Sequence, residues 1–245
     1  MADQKYPPRQ RQCERCKAKI TRAYDAPPNT YHVGAVLCEK CYKYVLRQHE
    51  AQKCLRAASY SIRHAELVSK KIANSSPHDP NLQYTHVRKQ LKQFSSENTP
   101  IIFLAGARGT GKTTLAGFYL LYRLWRGNMF VSGFYQDAGV TAYKVLDKMK
   151  QGKLSDFYAE LMGYDTLILD EVSQLHTPFM KEFLFEIING RLNQNRPTML
   201  IAPFVRMQQI NRWLDPSTMR RIVTDGVVLR CTWKPLYKAG VELVE

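Results

Sequence analysis

The chain has 245 residues, 44% of them apolar, which suits one globular α/β domain with a small appendage. No apolar run reaches the ~20 residues of a membrane span, and Met1-Ala2-Asp3-Gln4-Lys5-Tyr6 lacks a leader's apolar core. A soluble, cytoplasmic protein without a membrane partner is therefore expected. Lys and Arg number 36 against 21 Asp and Glu, a net charge of +15, and residues 1–100 hold 18 of the bases but only 8 of the acids. An acidic polymer, nucleic acid before others, is the natural partner of such a surplus.

The basic N-terminal part contains two C-x-x-C pairs, Cys13-Glu14-Arg15-Cys16 and Cys38-Glu39-Lys40-Cys41, with 21 residues between them. Four thiolates in two such pairs suit one tetrahedral Zn²⁺, and a segment this short needs metal binding to fold. Disulfides are the competing use of the same residues, and the absence of an export signal argues against them. His32 lies between the pairs as a possible substitute ligand, while Cys54 and Cys231 fall outside the pattern. Tyr31 to Cys38 reads as a short strand leading to the second pair. Arg11, Arg15, Lys17, Lys19, Arg22, Lys40 and Lys43 surround it, with Tyr24, Tyr31, Tyr42 and Tyr44 interleaved. Such a mixture can neutralise phosphates and stack on bases, although the tyrosines equally suit the packing of a zinc module. Residues 1–44 are taken as that module.

From Tyr44 to Asn74 apolar residues recur at helical spacing with no Pro or Gly between them, predicting one long amphipathic helix or two short ones. Such helices could brace the zinc module or dock on a partner. Asn74-Ser75-Ser76-Pro77-His78-Asp79-Pro80-Asn81 reads as a linker, so residues 45–81 form a helical segment and linker. A helix over 82–94 then precedes the domain assigned to residues 82–245.

That domain opens on the apolar run Ile101-Ile102-Phe103-Leu104-Ala105, followed by Gly106-Ala107-Arg108-Gly109-Thr110-Gly111-Lys112-Thr113 and the helical stretch from Thr114. Strand, G-x-x-x-x-G-K-T loop and helix are the context in which this pattern cradles a nucleoside triphosphate. The glycines let successive backbone N–H groups face the phosphates, and the helix N-terminus adds its positive end. Lys112 is expected at the β- and γ-phosphates and the Thr113 hydroxyl on Mg²⁺, making ATP and Mg²⁺ the cofactors. Thr114 completes the phosphate-contacting residues.

The second half of such a site is an acidic residue ending another buried strand. Thr166-Leu167-Ile168-Leu169-Asp170-Glu171 supplies it. Asp170 is expected to hold Mg²⁺, directly or through water, and Glu171 to deprotonate the attacking water. Further strands are predicted at 129–134, 196–202 and 227–231, and further helices at 140–149 and 179–192. Alternating strands and helices imply a parallel sheet covered on both faces, the α/β class.

The order of these pieces resembles the AAA+ ATPases of the DnaC/IstB type, which include bacterial and phage helicase loaders and the ATPase helpers of some transposases. The resemblance covers residues 82–238. It rests on the phosphate loop, the Leu167–Glu171 strand end, Asn195-Arg196-Pro197-Thr198, and Met219-Arg220-Arg221 before the last strand and Trp233. It implies an AAA+ sheet without a C-terminal lid, and assembly of several copies on ATP and DNA. It also implies an arginine finger at Arg220, with Arg221 beside it, that reaches a neighbour's γ-phosphate. A polar sensor, usually Asn, is expected after the fourth strand, where Pro203 stands instead; either hydrolysis is slow or Gln174 or Arg206 substitutes. The implied function is an ATPase that binds single-stranded DNA and, through the N-terminal module, a replicative helicase. The alternatives are a transposition helper acting on duplex DNA and a nucleotide-binding adaptor without a DNA role.

Overall fold

The computed structural model describes residues 17, 24–25, 36–37, 39–61, 65–66, 68–69, 82–126 and 132–234. Its centre is a five-stranded, wholly parallel sheet built from β3 (Ile101–Gly106), β4 (Gly133–Asp137), β5 (Thr166–Asp170), β6 (Thr198–Ala202) and β7 (Gly226–Cys231). The strand order is β4-β5-β6-β3-β7, so the phosphate-loop strand and the acidic strand lie on either side of β6. Every residue of β3, β5 and β6 is buried, which is why these strands read as unbroken apolar runs. The edge strand β4 alternates buried and half-buried residues and gives a weaker pattern.

Alternate strand residues face two separate cores. Ile101, Phe103, Leu167, Leu169 and Leu200 pack under α4 (Ala138–Lys150), α5 (Leu154–Gly163), α6 (Pro178–Asn193), α7 (Met207–Trp213) and α8 (Pro216–Asp225). Ile102, Leu104, Ile168, Met199 and Ile201 pack on the other face against α1 (Glu39–Ala57), α2 (Leu82–Glu97) and α3 (Lys112–Arg126). The helices α5, α7 and α8 were not anticipated from the sequence. The Asp215-Pro216 start of α8 is nonetheless a legible signal: Asp215 accepts from the Ser217 and Thr218 amides at 2.9 Å, and Pro216 opens the first turn.

The N-terminal helix belongs to this arrangement. α1 runs through residue 44, and its Ala51 and Leu55 are wholly buried in the same core as Leu115, Phe118 and Tyr119 of α3. Farther along, a Cβ on Gly117 would lie 2.7 Å from the Val68 side chain, so glycine lets Val68 rest directly on α3. β1 (Tyr24–Asp25) and β2 (Val36–Leu37) form a small antiparallel pair ahead of α1. Cys41 is buried in the first turn of α1, whereas Cys13, Cys16 and Cys38 lie outside the described residues, so the expected zinc cluster does too. Among the described residues no group of His, Cys, Asp and Glu is arranged to hold a metal by itself, and no helix is long and apolar enough to cross a membrane.

One buried cation fixes the sheet's lower end. Arg191 of α6 is fully buried and donates to the Leu161, Tyr164 and Pro197 carbonyls and to Thr198 Oγ1, all within 2.9 Å. Burial lowers its pKa to about 10, and the four acceptors offset the desolvation of the charge. Arg191 thereby ties together the turns that lead into β5 and β6.

Candidate functional site

The phosphate loop leaves β3 at Gly106, where a Cβ would collide with the Cys231 carbonyl at 2.5 Å; only glycine lets β3 and β7 close here. Gly109 and Gly111 have φ of 80° and 83°, the left-handed conformation that glycine adopts at least cost. Two bonds brace the loop: Thr110 Oγ1 donates to the Ala107 carbonyl at 2.9 Å, and Trp233 Nε1 donates to the Thr110 carbonyl at 2.9 Å. The second reaches across 123 residues, so a side chain just beyond β7 supports the loop from beneath.

Lys112 begins α3 and is 6% exposed. Its ammonium donates to the Gly106 and Ala107 carbonyls at 2.8 and 2.9 Å, which holds it at the loop's inner side. Burial lowers its pKa, an effect countered by the Glu171 and Asp170 carboxylates.

Asp170 is the meeting point of the site. Its Oδ2 accepts from Thr113 Oγ1 at 2.6 Å and from the Tyr135 hydroxyl at 3.0 Å, and its Oδ1 accepts from the Glu171 amide at 2.8 Å. Thr113 and Asp170, predicted separately as Mg²⁺ ligands, are thus brought into direct contact. Their oxygens are the donor type that a hard divalent cation takes.

Glu171 ends the strand in the left-handed conformation, with φ of 53°, uncommon for a residue with a side chain. The turn swings the chain away from β5 and leaves the Glu171 side chain half-buried beside Asp170. Its pKa is raised, first by burial and then by the Asp170 carboxylate, while Lys112 and Arg108 pull it down. A carboxylate with a raised pKa is a better-matched proton acceptor near neutral pH. Arg108, read from the sequence only as a loop residue, is exposed and acts on both Lys112 and Glu171.

Other predicted residues are elsewhere. Pro203 follows β6 with no polar side chain to offer. Gln174 rests against Gly139 at the start of α4, and Arg206 is exposed ahead of α7, its amide bonded to Gln209. The Gln174 amide donates to the Glu171 carbonyl at 3.0 Å, but among the described residues neither side chain has a hydrogen bond to Lys112, Asp170 or Glu171. Arg220 and Arg221 are both exposed on α8; Arg221 faces Asp225 at 3.6 Å, while Arg220 has no ion pair among the described residues. Both line a depression of about 410 Å³ with Phe185 and Thr224. A cavity of about 580 Å³ between α5 and α6, lined by Tyr158, Met162, Gly190 and Arg196, contains none of the site residues, so volume alone does not mark this site.

The residues that sequence reasoning missed are Tyr135, Tyr60 and the bracing role of Trp233. Tyr135 becomes a partner of Asp170 only because β4 and β5 are neighbours, with Asp137 opposite Asp170 in register. No local pattern announces that pairing.

No protein-family model matches the chain. A curated relative, the tRNA(Met) cytidine acetyltransferase TmcA of Yersinia pestis (strain D106004), is 32% identical over 116 residues, covering 43% of this chain and 15% of that protein. Among solved structures, the DnaC helicase loader superposes with a TM-score of 0.56 at 18% identity, covering 64% of this chain and 94% of that one. The replication initiator DnaA bound to AMPPCP and single-stranded DNA superposes with a TM-score of 0.51 at 23% identity, covering 63% and 47%. The chain therefore spans less than half of the initiator chain and a small part of the acetyltransferase. Strand order, phosphate loop and these superpositions give the chain the AAA+ P-loop fold of the loader and the initiator.

Proposed function

We propose that this AAA+ chain is an ATP-hydrolysing helicase loader of the DnaC type that binds single-stranded DNA and a replicative helicase. One observation carries the reading: the 2.6 Å bond from Thr113 to Asp170, which unites the phosphate loop with the acidic strand end. In P-loop ATPases a hydroxyl and a carboxylate so related hold the divalent cation that accompanies the nucleotide.

In this reading the loop amides and Lys112 would orient the β- and γ-phosphates, and Thr113 and Asp170 would hold Mg²⁺. When bound, Mg²⁺ supplies neutralisation of charge on the phosphate oxygens. Glu171 accepts the proton of the attacking water, a role matched by its raised pKa. Arg220, exposed and without an ion pair among the described residues, supplies positive charge to a neighbouring copy's γ-phosphate. Water and phosphate thus meet between a base from β5 and cations from the loop and from a second subunit.

The partners follow from features beside the site. The net charge of +15 suits DNA, and the initiator that shares this fold was solved with single-stranded DNA and an ATP analogue. The loader that shares it matches over nearly its whole chain. Cys13, Cys16, Cys38 and Cys41 would hold one Zn²⁺ in a module that grips the helicase, a donor set whose softness suits that ion.

Fluorescence anisotropy with labelled oligonucleotides, with and without ATP and Mg²⁺, tests the reading. Tighter binding of single strands than of duplex with ATP supports a loader. A duplex preference supports a transposition helper, and absence of DNA binding supports the adaptor.

A further inference from the structure

The end of α1 is built to deliver one side chain. Helix α1 closes with the Tyr60 amide donating to the Leu55 carbonyl at 2.9 Å and the Ser59 amide to Arg56 at 3.0 Å, with Ser59 at φ of 68°. These are the paired bonds of a Schellman cap, and they fix where the chain goes next. It goes to the outer edge of the sheet. The Tyr135 amide of β4 donates to the Ala58 carbonyl at 2.9 Å, so the cap occupies a bond that an edge strand otherwise leaves open.

Tyr60 is 4% exposed, and its ring lies against that of Tyr135 with centroids 4.1 Å apart and planes at 31°. Its hydroxyl reaches the Thr113 carbonyl only across 3.5 Å, a weak contact. The ring of Tyr60, more than its hydroxyl, is what constrains Tyr135. The Tyr135 hydroxyl in turn donates to Asp170 Oδ2 at 3.0 Å.

Resting on the ATPase reading, we infer that Tyr135 is a positioning residue for Asp170 and that Tyr60 holds Tyr135 in place, so the N-terminal segment forms part of the cation side of the nucleotide site. A carboxylate offers about four lone-pair sites. Three are taken by Thr113, Tyr135 and the Glu171 amide, which fixes the carboxylate's rotation and leaves a site on Oδ1. Without Tyr135, Oδ2 keeps one donor and the carboxylate gains freedom to turn. The helix that bears Cys41 is thereby joined to Asp170 through two aromatic rings.

The test is the Mg²⁺ dependence of nucleotide binding by the full chain, read with a fluorescent ATP analogue in EDTA and across a Mg²⁺ titration. Tyr135→Phe keeps the ring and should raise the Mg²⁺ midpoint about tenfold, the fold-change for one hydrogen bond to a charged group. Its affinity in EDTA should match wild type within about twofold, because the loop and Lys112 are untouched. Tyr60→Ala should shift the midpoint in the same direction, and Tyr60→Phe, which retains the stack, should restore it. A wild-type Mg²⁺ midpoint in Tyr135→Phe would overturn the positioning role while leaving the ATPase reading intact. Nucleotide binding by wild type that ignores Mg²⁺ would overturn both. Thermal melting of Tyr135→Phe and Tyr60→Phe without nucleotide controls for folding, since neither changes the packed volume much.

Discussion

Thr113, at the start of α3, and Asp170, at the end of β5, touch across 2.6 Å although β3, which leads to α3, is separated from β5 by β6. The contact closes over the end of β6, where Pro203 offers no polar side chain. Chemistry at this point therefore has to come from the flanking strand ends and their loops. That places the demand on Glu171 and Arg108 beside it, and on whatever a second subunit contributes.

Glu171→Gln should retain ATP and hydrolyse it about 100-fold or more slowly, the effect of losing a general base. The same variant makes a prediction about stability. Burial and Asp170 raise the Glu171 pKa, so the folded chain binds this proton more tightly than the unfolded chain. The stability linked to it is fully present below the unfolded pKa and is lost as pH rises through the folded one. Glu171→Gln should accordingly melt higher than wild type at neutral pH, with the gain shrinking on acidification. A melting difference that grows as pH falls would contradict the assignment.

Trp233→Phe preserves an aromatic ring beneath the loop but removes the donor to the Thr110 carbonyl. Leaving that buried carbonyl unpaired costs about 1–3 kcal/mol, and part of it should appear as weaker nucleotide binding. Titration of ATP into the purified variant measures this. Unchanged affinity together with a lowered Tm would make Trp233 a brace of the fold only.

Freshly purified, reduced protein should contain one Zn²⁺ per chain, and Cys13→Ser with Cys16→Ser should abolish it. The sheet domain should survive the double change, since its two cores draw on Ala51 and later residues. Elemental analysis and proteolysis follow the two outcomes separately. Absence of zinc from wild type would remove the metal module.

Arg220→Ala and Lys112→Ala proteins should each be inactive alone and partly active when mixed. Some interfaces would then pair an intact Arg220 with an intact Lys112. Arg221→Ala should be milder, because Arg221 already faces Asp225 within its own chain. A mixture that co-assembles yet stays inactive would return Arg220 to a surface role.

What the sequence disclosed, and what it withheld, divides along range. The phosphate loop, the acidic strand end and the buried strands are local patterns, and each was legible because its neighbours in sequence are its neighbours in space. Helix 138–150 extends the predicted 140–149 because Asp137 caps it, accepting from the Gly139 amide at 2.8 Å. The roles of Tyr60, Tyr135 and Trp233 depend on strand order and on contacts tens of residues long, which no periodicity encodes. α1 reads from the sequence as a helix that braces the zinc module or docks on a partner; its Ala51 and Leu55 pack instead in the core of the sheet domain, since amphipathicity does not say what a helix packs against.

Calorimetric titration of ATP with Mg²⁺ into wild type and Lys112→Ala tests the central claim most directly. The account predicts saturable binding of one ATP per wild-type chain, and a loss of about two orders of magnitude or more in Lys112→Ala with the fold retained. Equal affinities in the two proteins would contradict it, and would move the nucleotide away from the site built by Lys112, Thr113 and Asp170.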